Sequence, residues 1–471
     1  MLEDSIPKLD YILGKPNPKP SRLLAYELIW QVNEEGAFAN IRLPELLAKS
    51  KMNLADKAFT TELAYGTLRM QGRHDYIASK YVDRAYSEID KKIINLLRLG
   101  IHQLTKMRVP EHAAVSETVE VAKLVAGDSK ASYVNAILRK VATADNSLPE
   151  LEDMPILQRL SIQYSHPEWI ISSFFDQLKD WSDVEKLLEA NNEPALPDVV
   201  AWPGKSTTQE LIDLGASSIP GFKNGVNLNV IPMSFQPIIE RRAGVQDRGS
   251  QLVVENFLAT FETGLSWLDM CAGPGGKAAY LYNSLLQIDP TAKFIANEPI
   301  PHRADLVKRV VNNYQVVSFD GTNALNFEGK YDRILIDAPC TGLGALRRRP
   351  ESRWRKNLKD LKELVILQRS LLASSYDLLN IGGIIAYVTC SPHLAETKGQ
   401  VLDFLLEHKD MKILPITEVA GAHQKGVQSD GSVQLWTHLD HSDAMFMVLL
   451  RRWVRYSHES PNLDQSKYSE R

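Results

Sequence analysis

The sequence predicts a multidomain α plus α/β protein: an all-helical N-terminal domain, a small mixed middle domain and a C-terminal doubly wound α/β domain. Three observations carry that expectation. From Ser21 to about Ala144 apolar residues recur at helical spacing, with almost no strand-like alternation. From Gln246 onward short aliphatic or β-branched runs alternate with helical stretches, as in a sheet flanked by helices. The 471 residues also exceed what one ordinary core holds.

Along the chain, residues 1–20 carry Pro7, Pro16, Pro18 and Pro20 among polar residues and read as a flexible lead-in. The helical domain spans 21–146, with Leu24, Leu28 and Val32, then Leu43, Leu46 and Leu47, then Ile93, Leu96, Leu97, Ile101 and Leu104 at helix spacing. Two prolines and several acids mark 146–155 as a linker. The middle region, 147–245, reads as helices over 157–164, 169–178 and 184–191 followed by a strand over 199–202. In the C-terminal domain, 246–454, strands are expected at 266–270, 293–298, 315–320, 333–337 and 383–389, and helices at 277–286, 302–313 and 358–379. A polar tail, 455–471, closes the chain.

Composition narrows the class. At 44% hydrophobic and 24% charged residues, the chain has the make-up of a soluble globular protein. No signal-peptide pattern opens it and no apolar run approaches the roughly 20 residues a membrane span needs, so a cytoplasmic protein with no membrane partner is expected. The net charge of −4 leaves nucleic-acid binding to local patches. Three widely spaced cysteines, Cys271, Cys340 and Cys390, argue against a disulfide framework or a zinc ribbon, and no metal is expected.

In doubly wound sheets ligands sit beyond the carboxyl ends of the strands, and the chemistry-bearing residues fall there. The first strand runs into Cys271-Ala272-Gly273-Pro274-Gly275-Gly276-Lys277 and a helix, a turn that lets backbone approach a ligand closely. Glu298 ends the second strand, where a carboxylate can accept from ribose hydroxyls, and Asp320 ends the third. A tight turn with two solvated acids is the plainer reading of each alone; together they favour a nucleoside-bearing cofactor. The glycine spacing does not match G-x-G-x-x-G, which argues against a nicotinamide-dependent oxidoreductase. The fourth strand ends in Asp337-Ala338-Pro339-Cys340-Thr341-Gly342 and the fifth in Thr389-Cys390-Ser391-Pro392. A free cysteine is more often a small buried hydrophobe than a catalyst, but two thiols and an acid meet at this one sheet edge. Such a set suits methylation of cytosine C5: a thiolate adding to C6 makes C5 nucleophilic, a carboxyl group near N3 steadies the ring, and a base then removes the C5 proton.

These motifs resemble those of the RNA cytosine-C5 methyltransferase superfamily, and the chain is similar to its bacterial 16S rRNA branch with a NusB-like helical domain. Gly36-Ala37-Phe38-Ala39-Asn40, Tyr65-Gly66-Thr67-Leu68-Arg69 and Pro110-Glu111-His112-Ala113-Ala114-Val115 carry the NusB-like likeness, and residues 346–355 and 164–169 that to the rRNA branch. The resemblance covers roughly 21–452. It implies a Rossmann-like class I methyltransferase fold, S-adenosyl-L-methionine as cofactor, Cys390 as the C6 nucleophile, Cys340 as the residue assisting proton removal and product release, and Asp337 as the N3 partner. Cysteine 271 through Lys277, Glu298, Arg303, Asp320 and Asp337 are the implied cofactor contacts, and residues 246–251 the segment closing over the cofactor. Gly273 stands where the family more often has alanine, and Glu298 where aspartate is commoner.

Arg347, Arg348, Arg349, Arg353, Arg355 and Lys356 put six cations in ten residues just after the Cys340 motif. A solvated face is the default for such a run, yet its position points to phosphates flanking the target base. The expected partner is therefore 16S rRNA, free or in an early assembly intermediate, and the expected state a monomer. Two alternatives stay open: the same chemistry on tRNA or 23S rRNA, and a non-catalytic RNA-binding or transcription factor, against which the two strand-end thiols argue.

Overall fold

The computed structural model describes residues 20–229, 232–312 and 315–453. The expected polar tail and all of the lead-in but Pro20 lie outside the described residues.

Seven helices build the N-terminal region: α1 (Pro20–Glu34), α2 (Ala39–Lys49), α3 (Leu54–Arg69), α4 (Gln71–Ser79), α5 (Lys91–Thr105), α6 (Glu111–Ala126) and α7 (Asp128–Thr143). The spacing read from the sequence is the packing seen: Leu24, Leu28, Leu96, Leu97 and Ile101 are buried in one core. Asn53 and Asp90 cap α3 and α5 by accepting backbone N–H groups. The expected linker is not loose. Its turn at Pro149–Asp153 buries Leu148 and Leu151 in the same core.

The middle region divides in two. Helices α8 (Ile156–Tyr164), α9 (Glu168–Leu178) and α10 (Trp181–Ala190) bury Leu160, Ile171, Phe174 and Leu187 against Leu343, Leu346 and Trp436 of the C-terminal region. The second piece is an antiparallel sheet of β1 (Asp198–Ala201), β2 (Ser217–Ser218), β3 (Gly225–Asn227) and β4 (Ala243–Val245), ordered β2-β3-β1-β4, with α11 (Thr208–Asp213) and a small core of its own.

The C-terminal sheet contains β5 (Ser266–Asp269), β6 (Lys293–Asn297), β7 (Val316–Val317), β8 (Tyr331–Asp337), β9 (Leu379–Thr389), β10 (Met411–Leu414), β11 (Val433–Gln434) and β12 (Phe446–Arg452). Its order is β10-β12-β9-β8-β5-β6-β7, with β11 pairing β12. Strands β9, β8, β5, β6 and β7 run parallel, whereas β12 lies antiparallel between β9 and β10. The helices are α12 (Arg248–Leu258), α13 (Gly276–Ile288), α14 (Pro301–Lys308), α15 (Leu358–Leu378) and α16 (Lys398–Glu407). The doubly wound, Rossmann-like reading holds in this parallel part. Two expected elements are shorter than read: the third strand keeps two residues, and the helix expected over 302–313 ends at Lys308, with Asn313 outside the described residues. Because β5 is followed on one side by β6 and adjoins β8 on the other, the topological switch opens a crevice beyond their carboxyl ends. No helix among the described residues is long and apolar enough to cross a membrane.

Candidate active site

Strand β5 delivers the glycine loop to that crevice. Gly275 has φ +112°, a conformation that favours glycine, and α13 starts directly after it. A Cβ on Gly273 would overlap the Glu298 carboxylate. The two departures from the family pattern therefore compensate: the longer acid fills the space of the missing methyl group. Arg303 clamps both, donating from Nη2 to the Gly273 carbonyl at 2.6 Å and standing 3.4 Å from Glu298 Oε2. Glu298 is buried and accepts from the Ile300 N–H, while Asp320 is exposed and accepts from the amide and hydroxyl of Thr322, which hold its carboxyl below the usual range.

Two residues that sequence reasoning missed hold this end of the sheet. Asn297 donates to the Met270 and Phe319 carbonyls, both at 3.1 Å, and accepts from the Phe319 N–H at 2.8 Å, tying three strand ends together. Asp269 is 1% exposed, and burial, aided by Asp337, pushes its carboxyl up to about 7. Its Oδ1 accepts from the Cys271 N–H at 3.3 Å and its Oδ2 has no partner in the structure. Burial and Asp269 push the Cys271 thiol well up, so it stays protonated and serves as wall. Once Asp269 ionises, three carboxylates, Asp269, Glu298 and Asp337, thus face two cations, Lys277 and Arg303. That surplus of negative charge, beside a glycine loop with room for backbone approach, fits S-adenosylmethionine, whose sulfonium and ammonium outnumber its single carboxylate.

The thiols stand one strand further on. Parallel pairing of β8 with β9 sets Asp337 beside Val388, so the two following loops share a wall. There Cys340 Sγ and Cys390 Sγ lie 3.3 Å apart. Lys277 Nζ reaches Asp337 Oδ2 at 2.8 Å; burial works against the lysine charge, but Asp337 outweighs it and its pKa is raised. The Cys340 thiol donating to Cys390 lowers the pKa of Cys390 against burial, with Lys277 and Arg349 assisting, while the same bond and burial raise Cys340 well above its usual value. The two shifts run in opposite directions, so Cys390 is the more readily ionised thiol of the pair and Cys340 the one that holds its proton more firmly.

A buried network holds both cysteine loops. Glu396 accepts from the Thr341 N–H at 2.8 Å, from the Thr341 hydroxyl and from Gln368 Nε2 at 3.2 Å, and Gln368 also donates to the Pro339 carbonyl at 2.8 Å. The hydroxyls of Thr341 and Ser391 meet at 3.1 Å. On the other side, the segment expected to close over the cofactor forms the start of α12 and a fixed wall. Buried Asp247 accepts from the Asp443 N–H at 3.0 Å and is pushed up to about 6 by burial and Asp443.

The basic run is where the sequence reading needs correction. Arg353 is fully buried and donates to the carbonyls of Arg69, Ser165 and Asn191 and to Asn192 Oδ1, so it joins helices instead of meeting solvent. Arg355 caps carbonyls of Val32, Gly36 and Ala37. Arg348 is forked onto Asp443, its Nε 2.9 Å from Oδ1, and Arg347 donates to the His441 carbonyl at 3.1 Å. Buried acceptors left without these donors would be costly, which is why the arginines turn inward. Arg349 is exposed, and it and Lys356 are without an ion pair among the described residues. Trp354 packs over Gly72, where a Cβ would strike its ring.

Comparison with known proteins places these features. A model of the 16S rRNA methyltransferase RsmB/F family matches residues 257–451 and one of the NusB family matches 19–143. A Mycobacterium tuberculosis protein that carries a provisional methyltransferase name is 39% identical over 452 residues, covering 92% of this chain and 96% of that one. The ribosomal RNA small subunit methyltransferase B of Cronobacter sakazakii is 30% identical over 403 residues, covering 83% of this chain and 91% of that one. The crystal structure of PH0851 shares the fold, with a TM-score of 0.78 at 20% identity over 93% of this chain and all of that one.

Proposed function

The chain belongs to the RsmB/F family of S-adenosylmethionine-dependent rRNA methyltransferases, and from that premise we propose that it methylates C5 of a cytosine in 16S rRNA through a covalent adduct between Cys390 and C6. The observation that carries the chemistry is the polarised thiol pair, 3.3 Å apart, beside an acid–lysine pair at 2.8 Å.

Each group then has a task. The Cys390 thiolate adds to C6, forming a C–S bond and turning C5 into a nucleophile. Asp337, held by Lys277, faces N3; carrying a proton, its carboxyl group donates to N3 as negative charge builds on the ring. Bound S-adenosylmethionine supplies the electrophilic methyl group. Afterwards the C5 proton must leave and the C6–S bond must break; Cys340, held against Cys390, is placed to assist both. The target base must leave its stack to reach these loops, so an unpaired cytosine is favoured. Arg349, exposed and close enough to lower the Cys390 pKa, and Lys356 are the members of the basic run available to flanking phosphates.

The test is transfer of labelled methyl from S-adenosylmethionine to protein-free 16S rRNA, with denaturing gels to catch adducts. Wild type should label cytosine C5. Cys390→Ala should give no label while still binding S-adenosylmethionine, and Cys340→Ala should accumulate protein–RNA adduct. Label on tRNA or 23S rRNA alone would keep the chemistry and discard the substrate; an active Cys390→Ala would overturn the roles.

A further inference from the structure

A cavity of about 540 Å³ opens between the N-terminal helices and the catalytic body, away from the thiols and the glycine loop. Its walls come from α3, α4 and the end of α5 on one side and from the 147–152 turn, α8 and the end of α10 on the other. Cations gather here without an ion pair among the described residues. Arg69, 6% exposed, stands over the Tyr65 ring at 5.4 Å, and its Nε has no hydrogen-bond acceptor in the structure. Arg73 Nε is buried and likewise unpartnered, the guanidinium donating only from Nη2 to the Asn146 carbonyl at 3.2 Å. Lys106 lines the same cavity. Arg353 does not line the cavity but bonds two residues that do, the Arg69 carbonyl at 3.0 Å and Asn192 Oδ1 at 2.7 Å.

None of these four cations has a carboxylate within ion-pair distance among the described residues. Burial, with Arg69, pushes Arg353 down to about 9, and burial, with Arg73, lowers Lys106, while Glu62 and Glu150 only partly offset the burial of Arg69 and Arg73. Buried charge of one sign is expensive unless an opposite charge completes it. Three lining carboxylates, Glu62, Glu152 and Glu189, are exposed. Glu152 lies 3.8 Å from Arg159, which is outside the cluster. Arg69 is thus buried in the wall and Arg73 half-buried, while Lys106 stands exposed at the mouth together with the three acids. This arrangement suits one compact anion whose attachments can donate hydrogen bonds to the rim, as ribose hydroxyls do, and disfavours a long polyanion threading inward.

We propose that this cavity is a second RNA contact, holding a single backbone phosphate of the substrate strand between Arg69, Arg73 and Lys106. The proposal rests on the reading of the protein as an rRNA methyltransferase. Arg353, 13 positions beyond Cys340 in the chain, bonds the Arg69 carbonyl and so ties the segment that follows the catalytic loop to the wall of the site.

Full-length Arg73→Gln/Lys106→Gln is the decisive variant, since both side chains lie at the edge of the core and Arg69 keeps its packing. Affinity for protein-free 16S rRNA would be measured at several salt concentrations, with S-adenosylmethionine affinity as the control for folding. The expected result is RNA binding weakened about fivefold to tenfold, a log–log salt slope shallower by roughly 0.7 as for one lost phosphate contact, and unchanged S-adenosylmethionine binding. Inorganic phosphate should displace RNA from wild type only at high concentration. Unchanged RNA affinity and slope, with S-adenosylmethionine still bound, would overturn the proposal. So would inorganic phosphate binding wild type but not the variant while RNA affinity stays the same, because the ligand would then be free phosphate. Wild type that binds RNA through this site yet methylates no RNA would instead overturn the methyltransferase reading and leave the site standing.

Discussion

At Gly273 and Glu298 the loop has no spare volume, because the carboxylate occupies the position a methyl group would take. Gly273→Ala should therefore displace Glu298 and Arg303 and weaken S-adenosylmethionine binding at least tenfold. Combining it with Glu298→Asp withdraws the carboxylate by one methylene and should recover most of the loss. Calorimetric titration of the two single variants and the double one measures the coupling; strictly additive losses would show that the residues act independently. Asp269 gives a second residue-level test. Its pKa, about 7 in the folded chain, is raised far above the ordinary aspartate value. The sign follows: its contribution to stability is full at about pH 4 and is lost as pH rises through 7. A ligand of net positive charge prefers the ionised form, so S-adenosylmethionine affinity should rise severalfold between pH 6 and pH 8. In Asp269→Asn that slope should vanish and affinity at pH 8 should fall. A slope that survives the substitution would assign the titration to another group.

At the scale of elements, the loops after β8 and β9 act as one unit because Glu396, Gln368, Thr341 and Ser391 bond them from below. Glu396→Gln leaves the Thr341 donors poorly matched in a dry site. The expected cost is about 1–3 kcal/mol in urea unfolding, together with a kcat lowered at least tenfold and an unchanged KM for S-adenosylmethionine. A fall in stability with kcat intact would mean that the network supports the fold but not the thiols. The two cysteine loops were legible in the sequence because each is a short motif at a strand end. Glu396 and Asn297 were not, since each is a lone polar residue whose partners lie tens of residues away, and neither was Asp269, whose burial only the assembled sheet creates. The same limit applies to the sheet. Helix periodicity marked α1, α5, α8 and α9, but the stretch Phe446–Arg452 is a continuous apolar run, which says neither strand nor direction. Only pairing with β9 and β10 makes it antiparallel. The basic run misled for a related reason: nothing local to Arg353 reveals that carbonyls of Arg69, Ser165 and Asn191 await it.

Across the whole molecule, Arg353 ties the N-terminal helices to the catalytic body, beside apolar contacts such as Trp354 over Gly72. Each side has its own core, one centred on Leu24, Leu96 and Leu97, the other joining α8, α9 and α10 to Leu343 and Leu346. Between them Arg353 spans acceptors from α3, from the α8–α9 turn and from the end of α10, and Arg355 binds carbonyls that follow α1. A planar, five-donor guanidinium suits this task and an ammonium does not. Arg353→Ala should strand several buried carbonyls and cost about 2–4 kcal/mol, with Arg353→Lys recovering little. Because each core stays intact, the loss should appear as separation: thermal unfolding splits into two transitions, and limited proteolysis begins in 146–155, where Leu148 and Leu151 now hold the connecting turn against the helical core. The catalytic region should keep its affinity for S-adenosylmethionine while methyl transfer to long RNA falls, since the proposed phosphate site and the thiols no longer hold a fixed spacing. One cooperative transition at the wild-type temperature would show instead that the apolar contacts alone fix the two halves, and that the buried arginine is dispensable to their alignment.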